Sequence, residues 1–260
     1  MSHSKPGYIL TAVSEIMALP AGVHKLCYTF AALLFSMGTM PANTYSYFGA
    51  GGDLNVATFD DMNNVVQGVT TFNIQVSDLA MADPGDSLMV SLVGLQYPSA
   101  GDLHITLQGP TNVNGDVLNH IGAFTPGDPG YQTQFGDSLL PCSGNYNFDS
   151  SYTDDLWATA APLGINDSIP CGNYFPTTAF SPSNNNLSFL YAGLPVLGTW
   201  TLTIYDDYPP FNGGSGPFVP GLTSWGLTLQ ATPVSASPEP STAVLIAFSG
   251  LLFWVVRQAM

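Results

Sequence analysis

Aspartate carboxylates are the most numerous side chains in this sequence that could do chemistry. The 18 acidic residues include two glutamates, Glu15 and Glu239, and all the others are aspartates between residues 43 and 237, a stretch without lysine or arginine. Carboxylates from neighbouring loops supply the oxygen ligands that calcium prefers. The candidate calcium ligands are Asp102, Asp154, Asp155, Asp206 and Asp207. The alternative role for these aspartates is to form solvated turns.

Two histidines, His104 and His120, are the candidate bases in the same stretch. His104 falls on the polar side of the alternating segment DLHITLQ, so we expect it to face solvent or a neighbouring strand. His120 lies in an inserted loop that has no flanking catalytic signature. A Ser-His-Asp triad would have to use one of these two histidines, and neither context favours catalysis.

A serine in the segment FGDSL is the candidate nucleophile. This segment resembles the nucleophile block of GDSL esterases, and the resemblance implies that Ser138 would attack an acyl carbon. Such a serine needs a base to accept its proton, which that family supplies from a late Asp-x-x-His block. No histidine follows His120, and a second GDSL at Gly85–Leu88 begins a predicted strand. We therefore predict that the chain is not an enzyme.

The charge of the chain excludes one class of partner. The formal net charge is −15, and the only basic residues, Lys5, Lys25 and Arg257, lie near the two ends. Binding to phosphate backbones depends on lysine and arginine. The sequence therefore predicts no nucleic-acid partner.

Alternation of apolar and polar residues dominates the middle of the chain. A period of two, with β-branched and aromatic residues between Gly, Pro and Asp, is typical of half-buried strands. The residues expected to point inward are Leu103, Ile105, Leu107, Trp200, Leu202, Ile204, Trp225, Leu227 and Leu229. Because two sheets must bury their apolar faces against each other, the pattern predicts an all-β fold, a β-sandwich or jelly roll.

The beginning of the chain reads as a secretory signal. Lys25 provides a positive n-region, Leu26–Met37 an apolar h-region, and the segment MPA ending at Ala42 a cleavage site for signal peptidase. We therefore predict that residues 1–42 are an N-terminal extension and signal peptide.

Export would determine the state of the cysteines. Cys27 would leave with the signal, so Cys142 and Cys171 would remain in an oxidising compartment. Two cysteines there most simply form one disulfide. The alternative is two free thiols.

The end of the chain combines a Pro-Glu-Pro tripeptide, a short apolar segment and one basic residue. This order resembles the PEP-CTERM sorting signal of Gram-negative bacteria. The resemblance implies that Pro238, Glu239 and Pro240 are recognised by an exosortase, that Ala243–Val256 forms a transmembrane helix, and that Arg257 is the basic tail. It also implies transfer to the cell surface or into extracellular polysaccharide. The single arginine differs from the several that are usual in that class.

Three blocks of the middle region resemble the P domain of proprotein convertases and its bacterial relatives. They are GDLHITLQGP (Gly101–Pro110), NYNFDSSYTDDLWAT (Asn145–Thr159) and the closing hairpin that runs through GTWTLTIYDD to LTSWGLTL (Leu197–Leu229). The resemblance spans Val69 to Ala231 and does not extend to a protease domain. It implies a β jelly roll that stabilises or positions a subtilisin-like protease.

Aromatic residues in loops raise a further alternative. They are frequent in the segments YPPF, GNYNF and CGNYF. Aromatic rings that stay exposed can stack on sugars, although we expect most of these rings to anchor the core.

Together these features predict an exported protein with a non-catalytic, structural or adhesive β domain at the cell surface or in the extracellular matrix. The predicted domains are residues 1–42, the P-domain-like jelly roll 43–236 and the sorting segment 237–260. The alternatives are a carbohydrate-binding module, and an accessory domain or remnant of a secreted serine hydrolase or protease.

Overall fold

Alternating apolar residues build most of this protein into β-strands. The structure, a computed structural model, describes residues 43–77, 80–82, 87–136, 143–165, 167–209 and 219–233. The predicted signal peptide, the predicted sorting segment, Ser138 and Cys142 lie outside these residues. Within them the chain is mostly strand with few helical residues, which confirms the all-β fold class.

The strands and helices of the described residues are numbered in chain order. The strands are β1 Asn43–Asp53, β2 Thr58–Phe59, β3 Val65–Val66, β4 Gly68–Val76, β5 Ala80–Ala82, β6 Leu88–Val93, β7 Leu103–Gln108, β8 Asn114–Asn119, β9 Gln134–Phe135, β10 Tyr146–Asp149, β11 Ser168–Ile169, β12 Gly172–Tyr174, β13 Thr177–Thr178, β14 Ser181–Asn184, β15 Gly198–Asp206 and β16 Gly221–Pro233. The helices are α1 Leu156–Ala160 and α2 Leu187–Tyr191.

The larger sheet is organised around the long strand β16. Its order is β1-β16-β6-β10-β12, and β5 also pairs with β16. Strand β16 is antiparallel to both β1 and β6, so that Trp225 lies opposite Gly49 on one side and Leu92 on the other. Strand β10 is antiparallel to β6, whereas β12 runs parallel to β10.

The second sheet has the order β4-β15-β7-β8, and all of its pairings are antiparallel. The register between β7 and β8 shifts between Ile105 and Thr106. Strands β2 and β3, β9 and β11, and β13 and β14 form three small two-stranded pairs. In the second sheet β7 therefore lies between β15 and β8.

The core lies between the two sheets. All nine residues predicted to point inward on β7, β15 and β16 are buried, and they belong to one cluster with inward residues of β4, β6 and β10. Because both sheets contribute to one apolar cluster, they form the sandwich that the alternation predicts. Trp200 and Trp225 are among the largest fully buried side chains.

Both described helices are short and begin at a capping side chain. The Asp155 carboxylate accepts a hydrogen bond from the backbone N of Trp157 at 2.8 Å at the start of α1. Asn186 Oδ1 accepts one from the backbone N of Phe189 at 2.9 Å at the start of α2. No helix within the described ranges is long and apolar enough to span a membrane.

Truncating the core on β16 should destabilise the protein far more than truncating a surface leucine. Leu227 is fully buried, so Leu227→Ala should lower the free energy of unfolding by about 2–5 kcal/mol through lost burial and a cavity. The matched control is Leu197→Ala at a 41 % exposed position, which should change it by about 0.5 kcal/mol or less. Urea denaturation followed by tryptophan fluorescence measures both, and equal losses would contradict the packing described here.

Candidate functional site

The two histidines of the middle region come together at one edge of the second sheet. Their ring centroids lie 5.7 Å apart. They join a connected set of polar side chains, His104, Asp116, Asn119, His120 and Asp207, which we call the His–Asp network. The network joins β7, β8 and the segment that follows β15.

His104 lies on the outward face of β7, as the alternation predicts. Its Nε2 lies 3.0 Å from Asp116 Oδ1 on the adjacent strand β8. On the other side its ring stacks on Tyr205 of β15, with centroids 5.2 Å apart. His104 therefore connects three neighbouring strands, which is the cross-strand one of the two placements predicted for it.

His120 follows β8 directly and is buried, with 6 % of its surface exposed. Its backbone is in the left-handed region at φ 43°, and its N–H donates to Leu103 O at 2.9 Å. The ring packs flat on Phe180 with centroids 5.6 Å apart. These contacts hold the imidazole in one orientation against the segment that follows β15.

Both nitrogens of the His120 ring face oxygen atoms. Nδ1 lies 2.7 Å from Asn119 Oδ1, and Nε2 lies 2.7 Å from Asp207 Oδ2. The second contact is an ion-pair geometry rather than an aligned hydrogen bond. Asn119 Nδ2 donates to Asp116 Oδ2 at 3.1 Å, which orients the amide so that its oxygen faces His120.

The contacts of the His–Asp network favour the ionised form of Asp207. Burial opposes its ionisation, but the contacts of His120 and the amide of Gln67 outweigh burial and hold the pKa of Asp207 below its ordinary value. The charged form is therefore the stable one at neutral pH. Its contribution to stability is complete above the ordinary aspartate pKa and is lost as the pH falls through the lowered value.

Asp207 forms an outer layer of carboxylate, with 23 % of its side chain exposed. Asp102 and Asp206 form a second, deeper layer, and each is only 2 % exposed. Asp206 ends β15 and accepts hydrogen bonds from the backbone N of Ala57 at 2.6 Å and of Tyr208 at 3.3 Å. Asp102 ends a single 3-10 turn before β7, and its backbone oxygen accepts from the Asp207 N–H at 3.1 Å. The two layers are thus joined through the main chain.

Burial dominates the protonation of this deeper layer. It raises the pKa of Asp102 to about 7, with Asp206 adding repulsion and donors such as Gln132 opposing the shift. It also raises the pKa of Asp206, against hydrogen bonds from Tyr97 and from backbone amides. In both residues the protonated carboxyl is favoured by the apolar surroundings.

A glycine allows the loop after β8 to close over the Asp102 turn. Gly101 N donates to Tyr131 O at 2.8 Å, and Tyr131 N donates to Ile121 O at 2.7 Å. A Cβ on Gly101 would lie 2.3 Å from Pro129 O. The close approach therefore requires glycine, and it places the loop after β8 against the turn that contains Asp102.

The structure brings together three of the five predicted calcium ligands. Asp102, Asp206 and Asp207 lie in the two carboxylate layers, whereas Asp155 caps α1 and the backbone oxygen of Asp154 accepts from Phe175 N. Asp206 and Asp207 have different partners, as expected for neighbouring residues at the end of a strand. No group of three or more His, Cys, Asp or Glu side chains in the described ranges is arranged to hold a metal ion. Calcium binding stays a prediction.

Cys171, the described member of the predicted disulfide, is disulfide-bonded. Its Sγ also accepts a hydrogen bond from the backbone N of Asn145 at 3.2 Å. Because Cys142 lies outside the described residues, the pairing of Cys142 with Cys171 stays a prediction.

The network could not be found from the sequence because it depends on strand register and on Asp207, which lies far from the other members along the chain. Nothing in the local sequence marks Asp116 and Asn119, because their part in the network depends on the register of β7 against β8. Alternation does place His104, Thr106 and Tyr205 on one face of the second sheet. It gives no signal for the contact between His120 and Asp207, which is made by two loops.

Comparisons with known proteins give only a distant likeness. No protein-family model matches the chain, and no curated protein matches it. The crystal structure of the serine protease of Aeromonas sobria is 17 % identical over 77 % of this chain, with a TM-score of 0.32. The complex of that protease with its chaperone is 15 % identical over 78 % of this chain, also with a TM-score of 0.32. This chain spans 29 % of the length of each matched chain.

Asp102→Asn should remove part of the decline in stability between about pH 4 and pH 7. The pKa of Asp102 in the folded state, about 7, lies above the ordinary value of 3.8. The protonated carboxyl therefore makes its full contribution to the free energy of unfolding below pH 3.8, and this contribution is lost as the pH rises to about 7. Asparagine mimics the protonated acid at every pH. The variant should therefore be more stable than the native chain above about pH 7.

Urea denaturation at a series of pH values measures this effect. Asp61→Asn, which removes an exposed carboxylate, is the matched control for the change in net charge. Because Asp206 titrates in the same direction, some slope should remain in Asp102→Asn. An unchanged slope would contradict the raised pKa of Asp102.

Proposed function

We propose that this protein is an exported, non-catalytic β domain with a structural or adhesive role at the cell surface or in the extracellular matrix of a Gram-negative bacterium. Its precursor is cut by signal peptidase at residue 42. An exosortase recognises Pro238, Glu239 and Pro240, and the segment Ala243–Val256 holds the precursor in the membrane until then. The β domain is a jelly roll of the P-domain type.

The observation that supports the non-catalytic role is the set of groups that the two histidine rings contact. His104 Nε2 contacts Asp116, and His120 contacts Asn119 through Nδ1 and Asp207 through Nε2. Among the described residues, neither ring hydrogen bonds to a serine, threonine or cysteine side chain. A general base must reach the proton that it removes. Both imidazoles are therefore better suited to holding strands and loops together.

The make-up of the domain also supports an extracellular role. Cys171 is disulfide-bonded, which is typical of proteins in oxidising compartments. Surface aspartates without lysine or arginine keep the domain soluble and repel anionic partners. A surface of this kind is compatible with a position at the cell surface or in the extracellular matrix.

An accessory domain of a secreted serine protease is the second candidate. It is favoured by the sequence resemblance to P domains, whose three blocks contain β7, then β10 and most of α1, and then β15 and most of β16. These strands supply many of the buried residues of the sandwich. Much of the resemblance therefore reflects the alternation of apolar residues that a sandwich fold itself requires. A role beside a protease is therefore a weaker inference from these residues than the sandwich itself.

Replacing Pro238, Glu239 and Pro240 by alanine should block sorting of the protein. In a host with an active exosortase the native chain should reach the outer surface or the medium in shortened form. The variant should stay in the membrane fraction as a longer species because the enzyme no longer recognises it. Cell fractionation with immunoblotting measures the difference. The control, Ser235→Ala with Ser237→Ala, changes the residues just before the tripeptide and should be sorted normally.

The non-catalytic role predicts that a serine-reactive fluorophosphonate probe does not label the protein. Ser138 has no late histidine to activate it, so it should be as unreactive as a free serine hydroxyl. Gel fluorescence compares the native chain with Ser138→Ala, and both should stay dark. Labelling that the substitution abolishes would instead favour the hydrolase alternative.

A further inference from the structure

One row of residues crosses the outer face of the larger sheet and includes one exposed aromatic ring. The strand registers align Phe48, Gly226, Ser91, Asn147 and Asn173 in that order on β1, β16, β6, β10 and β12. We call these five residues the outer row. Their neighbours along each strand, including Trp225, Leu92 and Tyr146, point into the core. The outer row must therefore point away from the core, because strand side chains alternate.

Phe48 is the exposed aromatic of the row, with 75 % of its surface accessible. The ring lies over Gly226, because its Cδ1 and Cε1 atoms are 3.2 Å from the position that a Cβ on Gly226 would occupy. Glycine leaves the room for this arrangement, and the ring in turn covers the glycine backbone. Phe48 is thus held against the sheet while much of its surface stays open to solvent.

The other end of the row carries amide groups. Asn147 Nδ2 donates to Asn173 Oδ1 at 2.8 Å. This bond fixes both amides, and it leaves Asn147 Oδ1 and Asn173 Nδ2 without a partner among the described residues. Ser91 lies between the ring and the amides and adds a hydroxyl. The row therefore offers an apolar ring followed by hydrogen-bond donors and acceptors.

The outer row has no charged side chain, although the chain carries 18 acidic residues. Adjacent strands lie about 4.8 Å apart, so five strands extend the row over about 19 Å. A neutral sugar chain has matching chemistry, since pyranose rings present C–H faces that stack on aromatic rings and hydroxyls that bond to amides. An acidic polysaccharide would be repelled by the net charge of −15.

We propose that the outer row binds an extended, neutral polysaccharide, with Phe48 stacking on one sugar ring and Asn147 and Asn173 hydrogen bonding to hydroxyls further along the chain. The proposal rests on the proposed adhesive role and assigns it a ligand class and a site. It differs from the loop aromatics considered in the sequence, because Tyr146 and Phe148 of GNYNF are buried in the core.

Affinity electrophoresis tests the proposal on the full chain, purified in mild detergent. The gels contain hydroxyethyl cellulose, a neutral α-glucan or alginate as probes. The native chain should be retarded by at least one neutral polymer and not by alginate. Phe48→Ala should weaken that binding about three- to tenfold, the size expected for one lost aromatic contact. Asn147→Ala should weaken it as well.

Two further variants separate binding from folding. Phe189→Ala removes an aromatic ring that is 77 % exposed on α2 and is not part of the outer row, and it should bind like the native chain. Phe48→Leu keeps an apolar cover over Gly226 but removes the ring. It should keep the native melting temperature while losing binding as Phe48→Ala does.

Three results would overturn the proposal. They are no retardation by any neutral polymer, retardation by alginate alone, and equal effects of Phe48→Ala and Phe189→Ala. Because binding is measured on the purified chain, it does not depend on sorting. A failure of this site would leave the fractionation result of the sorting variant unchanged, and a failure of sorting would leave the binding result unchanged.

Discussion

The structure depends on how carboxylates are buried in a chain that has almost no basic residues. Burying an unpaired charge is costly, and buried aspartates usually find a lysine or arginine. Between residues 43 and 237 this chain has neither. Its aspartates are instead satisfied by backbone amides, as in Asp155 and Asp206, or by histidine and side-chain amides, as in Asp207. Asp102 follows a third route, because burial raises its pKa to about 7 and favours the neutral acid.

This constraint explains why both histidines of the domain lie in one place. The end of β15 brings Asp206 and Asp207 to the Asp102 turn, so three carboxylates meet where the inserted loop covers the sheet. His120 lies 2.7 Å from Asp207, and the backbone hydrogen bond from its N–H to Leu103 O fixes its position. The network links the register of β7, β8 and β15 to the loops beyond them. A change in any one strand would disturb the partners of the others.

Local alternation was enough to predict β7, β15 and β16 but not the network. Leu103, Ile105 and Leu107 are buried as their spacing requires, because the period of two depends only on neighbouring residues. Asp154 and Asp155 illustrate the limit. As an acidic pair they suggest a metal ligand set, yet Asp155 caps a helix of five residues that is too short to show helical periodicity. The approach of His120 to Asp207 depends on closing the sheet and two loops, which no sequence window contains.

The same alternation determines what the surface can bind. On β16, Trp225 and Leu227 are fixed in the core, so Gly226 between them must face outward. A slip of one residue would move these large apolar side chains into solvent, so the register is strongly specified. The pairing of Tyr47 with Leu227 holds Phe48 opposite Gly226. The positions of the outer row are therefore fixed by the same strand register. A binding surface on sheet faces of this kind is preorganised by the core beneath it, so little conformational entropy is lost when a ligand binds. None of the five residues of the outer row is charged, and Asp149, which follows two residues after Asn147 on β10, is buried.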